Sequence, residues 1–145
     1  MSSNIYTAGL RNVGSYQVSG HPYLSGSTTS ASIGAAANGY FAFPYVTKSI
    51  TIDNNDASDA CMISFAPFLD ADLSAYGFTT GNDVSGSGNW LYLAAGDSMT
   101  LDVKCKEIFV TPHSANAVEV QVYAELTGIP TTRMYSFNGL RGITQ

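Results

Sequence analysis

The sequence feature that most constrains the fold is a strict alternation of apolar and polar side chains. The stretch AVEVQVYAEL carries Val118, Val120 and Val122 on one face, with polar side chains between them. A period of two is typical of a β-strand with one buried face. KSITIDN repeats the pattern at residues 48–54, and a helical stripe of about ten residues occurs nowhere. These observations predict an all-β chain.

Further strand signals lie between turn-forming residues. GYFAFPYV is predicted to be the first core strand, with Phe41 and Phe43 on one face. The remaining strand signals fall at residues 60–68, 90–93, 99–103 and 107–111. Because only the turn-like NNDAS separates the strand at 48–54 from the next one, these two are predicted to form a hairpin or to be consecutive strands of one sheet. Short strands at spacings of about ten residues favour an antiparallel two-sheet sandwich of the jelly-roll type.

The chain is predicted to have three parts. These are an extended N-terminal arm at residues 1–39, a β-sandwich domain at residues 40–126 and a C-terminal tail at residues 127–145. The arm contains the low-complexity run SGSTTSASIGAAANG, and neither arm nor tail has enough apolar side chains to fold alone. A long loop rich in Gly, Ser and Asn is predicted at residues 69–89, and the only helical turn is expected around LDADLSAYG.

The charge of the chain is low, acidic and unevenly distributed. The 145 residues fit one domain, 12% of them are charged, and the formal net charge is −5. Without clustered Lys and Arg, nucleic acid is not expected as a partner. No apolar run reaches the roughly 20 residues that span a bilayer, so neither a membrane span nor a signal peptide is expected. Every Asp and Glu lies between Asp53 and Glu125, whereas Arg11, Arg133 and Arg141 flank this acidic middle.

No combination of residues predicts catalysis or cofactor binding. His21 and His113 each stand next to a proline, without further ligands or a nucleophile at a useful spacing. DNNDASD at residues 53–59 fails the EF-hand pattern and is predicted to be a solvated turn rather than a calcium site. The acids of DAD at residues 70–72 are too short a motif to indicate a hydrolase. We therefore predict no enzyme activity, no metal and no cofactor.

The cysteines and the tryptophan leave alternatives open. Cys61 and Cys105 lie on separate predicted strands, and reduced buried thiols are favoured over a disulfide. Trp90 is expected in the core, although exposed aromatic rings also stack on sugars. A glycan contact through the loop at residues 69–89 is therefore the alternative for this region.

Isolated apolar side chains among Gly and Ser characterise both the arm and the tail. Such spacing is typical of segments that bury their apolar groups against another chain. Docking on the chain's own sandwich is the alternative. GLRNVGSYQVSG near the start is echoed by NGLRG near the end. The candidate partner-binding residues are Leu10, Arg11, Tyr16, Tyr23, Arg133, Met134, Tyr135, Phe137, Leu140 and Arg141.

Four phrases of the sequence resemble a known class of proteins. LRNVGSYQVSGHPYLSG, FPYVTKSITI, LDVKCKEIFV and VQVYAELTGIPTTRM are similar to small virion structural proteins of tailed phages, in particular those of marine and cyanobacterial phages. This resemblance implies a capsid decoration (cement) protein, made in the host cytoplasm and displayed on the capsid surface of the virion. It also implies a homotrimer whose extended termini bind the major capsid protein. No active-site residue is implied.

The sequence leaves a second function open. The same features suit a tail, neck or fibre-tip protein whose β-sandwich binds host-surface glycan, with the loop at residues 69–89 facing outward. An undetected hydrolase is a third hypothesis, and it would need a cleft with paired acids.

Overall fold

The strands of this chain form two antiparallel sheets that enclose one core. The computed structural model describes residues 9–11, 13–14, 20–26, 39–65, 90–114, 116–135 and 137. Its strands are β1 (Pro22–Gly26), β2 (Gly39–Ala42), β3 (Tyr45–Asn54), β4 (Cys61–Ser64), β5 (Leu91–Leu93), β6 (Ser98–Leu101), β7 (Glu107–Pro112) and β8 (Val120–Pro130), and a 3-10 turn follows at Thr131–Arg133. The predicted all-β, two-sheet antiparallel sandwich is confirmed.

The chain changes sheets at almost every step. The first sheet has the strand order β1-β8-β3-β6 and the second sheet has the order β2-β7-β4-β5. Except between β4 and β5, each strand lies in the opposite sheet from the next one along the chain. Strands that are hydrogen-bonded neighbours are consequently distant in sequence, so the sheets depend on long-range pairing.

The alternating side chains build the core as predicted. Val118, Val120 and Val122 have no exposed surface, and neither do Ile50 and Ile52 on the neighbouring strand β3. The second sheet contributes further buried side chains from β4 and β7 to the same cluster. At about 25 cal/mol per Å² of apolar area, this shared layer is the largest source of stability.

The predicted pairing of residues 48–54 with residues 60–68 is wrong. These segments form β3 and β4, which lie in opposite sheets and face each other across the core. Both strands have fully buried side chains, Ile52 on β3 and Ile63 on β4 among them. Two sheets that pack face to face bury the apolar side chains of both strands between them. A hairpin would instead place both strands, and their apolar side chains, in one sheet.

The predicted first core strand is divided in two. Phe41 and Phe43 are buried on one face, as expected, but β2 ends at Ala42 and β3 begins at Tyr45 in the other sheet. Pro44 stands at the break, where its missing N–H cannot contribute to a strand ladder. The backbone N–H of Phe43 donates instead to the carbonyl of Lys106 at 2.9 Å.

The first sheet includes parts of the segments predicted as arm and tail. β1 pairs with β8 along its whole length, and β8 continues to Pro130. The ring of Tyr23 on β1 meets Phe43 edge to face at 5.0 Å. A Cβ atom on Gly20 would overlap the carbonyl oxygen of Leu126, so only glycine allows the chain to approach β8 this closely. Sequence reasoning missed β1 because PYLSG has little apolar alternation.

A buried amide joins the loops at one end of the sandwich. The Nδ2 of Asn54 donates to the carbonyl oxygens of Asp59 at 2.9 Å and Ala94 at 3.1 Å. Its Oδ1 accepts the backbone N–H of Asp56 at 3.1 Å. Only 1% of Asn54 is exposed. Because the amide of Asn54 is itself shielded from water, its hydrogen bonds hold the turns after β3 and β5 together.

The predicted solvated turn at residues 53–59 is organised by its own side chains. The Oδ1 of Asp56 accepts the backbone N–H groups of Ser58 and Asp59, as in an Asx turn. Asp59 in turn accepts hydrogen bonds from Ser114 at 2.7 Å and from Asn116 at 3.0 Å, and these bonds lower the pKa of its carboxyl group. The carboxylates of Asp56 and Asp59 are thus used within the chain.

The two cysteines are free, buried thiols, as favoured from the sequence. Burial raises the pKa of Cys61 to about 12 and that of Cys105 to about 11. Both groups therefore stay protonated at neutral pH, and protonated thiols are poor nucleophiles.

Replacing Asn54 by Ala is expected to lower the free energy of unfolding by about 2 to 4 kcal/mol, because it leaves buried backbone carbonyls without donors. Urea denaturation followed by tryptophan fluorescence measures this loss. The matched control is Asn55→Ala, since the side chain of Asn55 is exposed. The control should stay within about 0.5 kcal/mol of the parent. Equal effects of the two substitutions would contradict the role given to Asn54.

Replacing Gly20 by Ala is expected to separate β1 from β8. Amide hydrogen exchange in β1 should become at least about tenfold faster, while the β3 amides change less. Gly128→Ala is the control, because no atom lies within 4 Å of the point on β8 where its new Cβ atom would stand. Unchanged β1 protection in Gly20→Ala would show that the close approach to Leu126 is not required.

Candidate interaction surface formed by the two ends

The two ends of the described chain meet beside the main core. Val46, Ile129 and Met134 form a separate buried cluster, and Leu10 and Phe137 pack against it. Leu10 and Phe137 come from segments that are far apart in sequence, so only the folded chain brings both side chains onto this cluster. We refer to these residues as the end cluster.

A concave surface lies next to the end cluster. It is an open concavity of about 760 Å³, and it is lined by Gly9, Leu10, Arg11, Val13 and Arg133. Of the side chain of Val13, 68% is exposed. The concavity, called the end surface below, therefore combines two guanidinium groups with an exposed apolar side chain. Surfaces of this composition are common where proteins bind one another, since Arg is enriched in interfaces.

A third cation connects the arm to the sandwich. The Nζ of Lys104 donates to the carbonyl oxygen of Leu10 at 3.1 Å. Lys104 follows β6, so this bond links the arm to a loop that is distant in sequence. Asp102 and Glu107 lie on either side of Lys104 in the sequence, so this loop carries charges of both signs.

The other end of the sandwich is acidic. There β3 ends and β8 begins, and the backbone N–H of Asn54 donates to the backbone carbonyl of Asp97 while that of Asn55 donates to the backbone carbonyl of Glu119. The acidic residues at this end are Asp53, Asp56, Asp59, Asp97 and Glu119. Five of the eight described acidic residues therefore lie at the end where β3 finishes, whereas Asp102, Glu107 and Glu125 lie elsewhere.

The structure places the predicted partner-binding residues in three groups. Met134 is buried in the end cluster, with Leu10 and Phe137 half-buried against it. For these side chains the contact within their own chain, the alternative left open by the sequence, is observed. Arg11, Arg133 and Tyr135 are exposed. Tyr23 packs on the main core. The remaining candidates lie outside the described residues, and these are Tyr16, Leu140 and Arg141.

One residue of this region was not predicted from the sequence. Lys104 acquires its role only through folding, since it binds the carbonyl of Leu10. An aromatic series also continues from the tail, in which Tyr135 meets Phe137 at 5.8 Å and Phe137 meets Phe65 at 6.1 Å, both edge to face. No local pattern indicates these long-range contacts.

His113 lies beside two aromatic rings of the same region. His113 is half-buried, and its ring lies 5.0 Å from that of Tyr92 and 5.7 Å from that of Trp90. Trp90 is half-buried with its indole nitrogen enclosed, whereas 53% of Tyr92 is exposed. Across the residues that the structure describes, no three His, Cys, Asp or Glu side chains are placed to hold a metal ion. The predicted loop at residues 69–89 and the DAD motif lie outside those residues.

No protein-family model matches this sequence, and no curated protein matches it significantly. The similarity to virion proteins therefore stays a prediction from the sequence. In the described part of the chain, no helix has the length and apolar character needed to cross a membrane.

Replacing Met134 by Ala is expected to loosen the ends, because the substitution opens a cavity in the small end cluster. We expect a loss of about 2 kcal/mol in the free energy of unfolding. Limited trypsin digestion provides the second measurement, and cleavage after Arg11 should be at least severalfold faster.

The matched control for Met134→Ala is Thr132→Ala, since the side chain of Thr132 is exposed. It should leave both stability and cleavage unchanged. If Met134→Ala lowered stability without accelerating cleavage after Arg11, Leu10 would not be held by the end cluster.

Proposed function

We propose that this chain is a capsid decoration protein of a tailed phage that acts by binding alone. The sandwich forms the displayed body, and the end surface binds the major capsid protein. On the virion, the protein is a homotrimer on the outer face of the shell. The observation that chiefly supports this proposal is the convergence of the two ends on one concave surface with two guanidinium groups.

We further propose that the sandwich is a jelly roll, and the strand pairing supports this. β1 pairs with β8, β2 with β7, β3 with β6 and β4 with β5. Nested pairing of this kind is what a long antiparallel ribbon produces when it folds over into two four-stranded sheets. Double-sheet jelly rolls with eight strands occur in viral capsid proteins and in lectins.

The charges of the molecule favour a partner with acidic groups at its contact surface. Arg11 and Arg133 lie on the end surface, whereas Asp53, Asp97 and Glu119 lie at the other end of the sandwich. Carboxylates on a coat subunit would accept hydrogen bonds from both guanidinium groups. An exposed pair of this kind contributes at most about 1 kcal/mol, so burial of Val13 in the contact is expected to supply much of the affinity.

The test of this proposal is the occupancy of coat shells by a double variant, Arg11→Glu with Arg133→Glu. Shells assembled without the protein are incubated with parent or variant, and bound protein is quantified after sedimentation. We expect at least about a tenfold loss of affinity, and parent binding that weakens with salt. Circular dichroism verifies the fold of the variant.

The matched control is Lys48→Glu, because it also reverses a charge but lies on the first sheet and does not line the end surface. It should bind shells like the parent. Equal occupancy by the double variant and the parent would refute binding through the end surface. Equal losses of affinity in the double variant and in Lys48→Glu would show that binding depends on net charge alone.

A fibre-tip protein that binds host glycan is the second candidate. The same strand pairing favours it, since lectins share the jelly roll, and Tyr40 and Tyr92 on the second sheet are 57% and 53% exposed. Labelling the protein on intact particles separates the two functions. A symmetric distribution over the shell supports decoration, and confinement to one vertex supports the fibre tip.

A further inference from the structure

Lys48 lies at an irregularity in the pairing of β3 with β8. Thr47 is opposite Leu126, and Ser49 is opposite Glu125. Two steps along β3 therefore correspond to one step along β8, and Lys48 is the extra residue of a β-bulge. Bulges change the direction in which a side chain points, and they are frequent next to binding sites.

The bulge places a lysine on the outer face of the sheet. Strict alternation would put Lys48 on the same face as Ile50 and Ile52, which are fully buried. Instead Thr47 is buried and Lys48 is exposed. An unpaired ammonium group in the core would be very costly, and the irregular register avoids this cost.

Hydrogen bonds to buried threonine fix the bulge. The Oγ1 of Thr47 donates to the carbonyl of Val103 at 2.7 Å and accepts the N–H of Cys105 at 3.0 Å. On β8, the Oγ1 of Thr127 donates to the carbonyl of Val46 at 2.7 Å. The backbone on both sides of Lys48 is therefore held in one arrangement, so the side chain starts from a defined position.

A polar cleft of about 220 Å³ contains this lysine. Its side chains come from three strands and the segment before β1, and they are those of His21, Pro22, Lys48, Tyr123 and Glu125. The cleft presents a cation, a carboxylate and an imidazole beside the ring of Tyr123. Sites for drug-sized ligands measure roughly 300 to 1,000 Å³, so this cleft suits a smaller molecule.

The wall of the cleft that precedes β1 is held by backbone contacts. The backbone N–H of Leu126 donates to the carbonyl of His21 at 3.0 Å, and Gly20 lies directly against the carbonyl of Leu126. The imidazole of His21 lies 5.9 Å from the ring of Tyr45. Such preformed walls reduce the entropy lost on binding.

Lys48 and Glu125 do not form an ion pair with one another. Within the described part of the chain, no ion pair and no side-chain hydrogen bond occupies either group. A cation and a carboxylate that share a cleft without pairing are available to a ligand that bears both an anionic group and hydroxyl donors.

We propose that this cleft binds one acidic saccharide residue, a pyranose that carries a carboxylate. Lys48 and His21 donate to the sugar carboxylate, Glu125 accepts from ring hydroxyls, and the apolar face of the ring packs on Tyr123 and Pro22. A compact anion such as phosphate fits less well, because it brings no ring hydroxyls to Glu125 and no apolar face to Tyr123.

The experiment is an NMR titration of the ¹⁵N-labelled full chain with sodium glucuronate up to about 50 mM, which covers the weak affinity expected for a single sugar. We expect amide shifts at Lys48, Tyr123 and Glu125 and a dissociation constant on the order of 1 mM. Glucose and inorganic phosphate, titrated in the same way, should shift these amides at least about fivefold less at equal concentration.

Variants locate the binding site. Lys48→Met should raise the dissociation constant by at least about tenfold, and Tyr123→Ser by about threefold or more. Lys106→Met is the matched control and should bind like the parent, as should the Arg11→Glu, Arg133→Glu double variant. The dispersion of the spectra shows that each variant is folded.

Three results would overturn the proposal. These are no shifts at the highest glucuronate concentration, equal shifts with glucose or phosphate, and equal affinity of Lys48→Met and the parent. The proposal does not depend on capsid binding, because the Arg11→Glu, Arg133→Glu double variant tests that function separately.

Discussion

The interior between the two sheets is the constraint on which the rest of this structure depends. Each strand has one apolar face, and the first sheet and the second sheet cover one another's faces. Because the chain passes from sheet to sheet at nearly every connection, the turns must cross the ends of the sandwich. Buried polar groups at those crossings need partners, and the amide of Asn54 satisfies three of them at one end. The Asn54 hydrogen bonds are therefore as much a part of the architecture as the apolar core.

Most strands and their faces were predictable because alternation is a local pattern, whereas β1 lacks that pattern. The valines of β8 and the isoleucines of β3 are buried as expected, and the thiols of Cys61 and Cys105 are free and buried. Strand partners were not predictable in the same way, since nested pairs such as β1 with β8 join residues about a hundred positions apart. The expected hairpin failed for this reason, because a short turn is as compatible with a crossing between sheets as with pairing in one sheet.

The kinds of residue on the end surface could be predicted from the sequence, but their arrangement could not. Arg11, Arg133 and Met134 were singled out because Gly-rich segments with isolated apolar and basic side chains suit contacts with another surface. In the folded chain these residues differ in exposure, since Met134 is buried while Arg11 is exposed. Apolar residues near a terminus can thus organise the terminus, while the charged residues beside them stay exposed. The role of Lys104 could not be predicted, because no sequence pattern links Lys104 to Leu10, the residue that it binds.

One irregular region, with two successive register shifts between β3 and β8, accounts for both surfaces. Val46 and Thr47 are both buried, and so are Leu126 and Thr127, so the alternation changes phase on each strand at the same level. Before this level on β3, and after it on β8, the apolar side chains leave the main core and build the end cluster instead. The same change in phase turns Lys48 outward into the cleft. A regular ladder would direct Lys48 into the core and would offer no separate cluster to hold the ends. The two buried threonines that fix this irregularity are therefore positioned to influence both the end surface and the cleft, although neither side chain lies in either one.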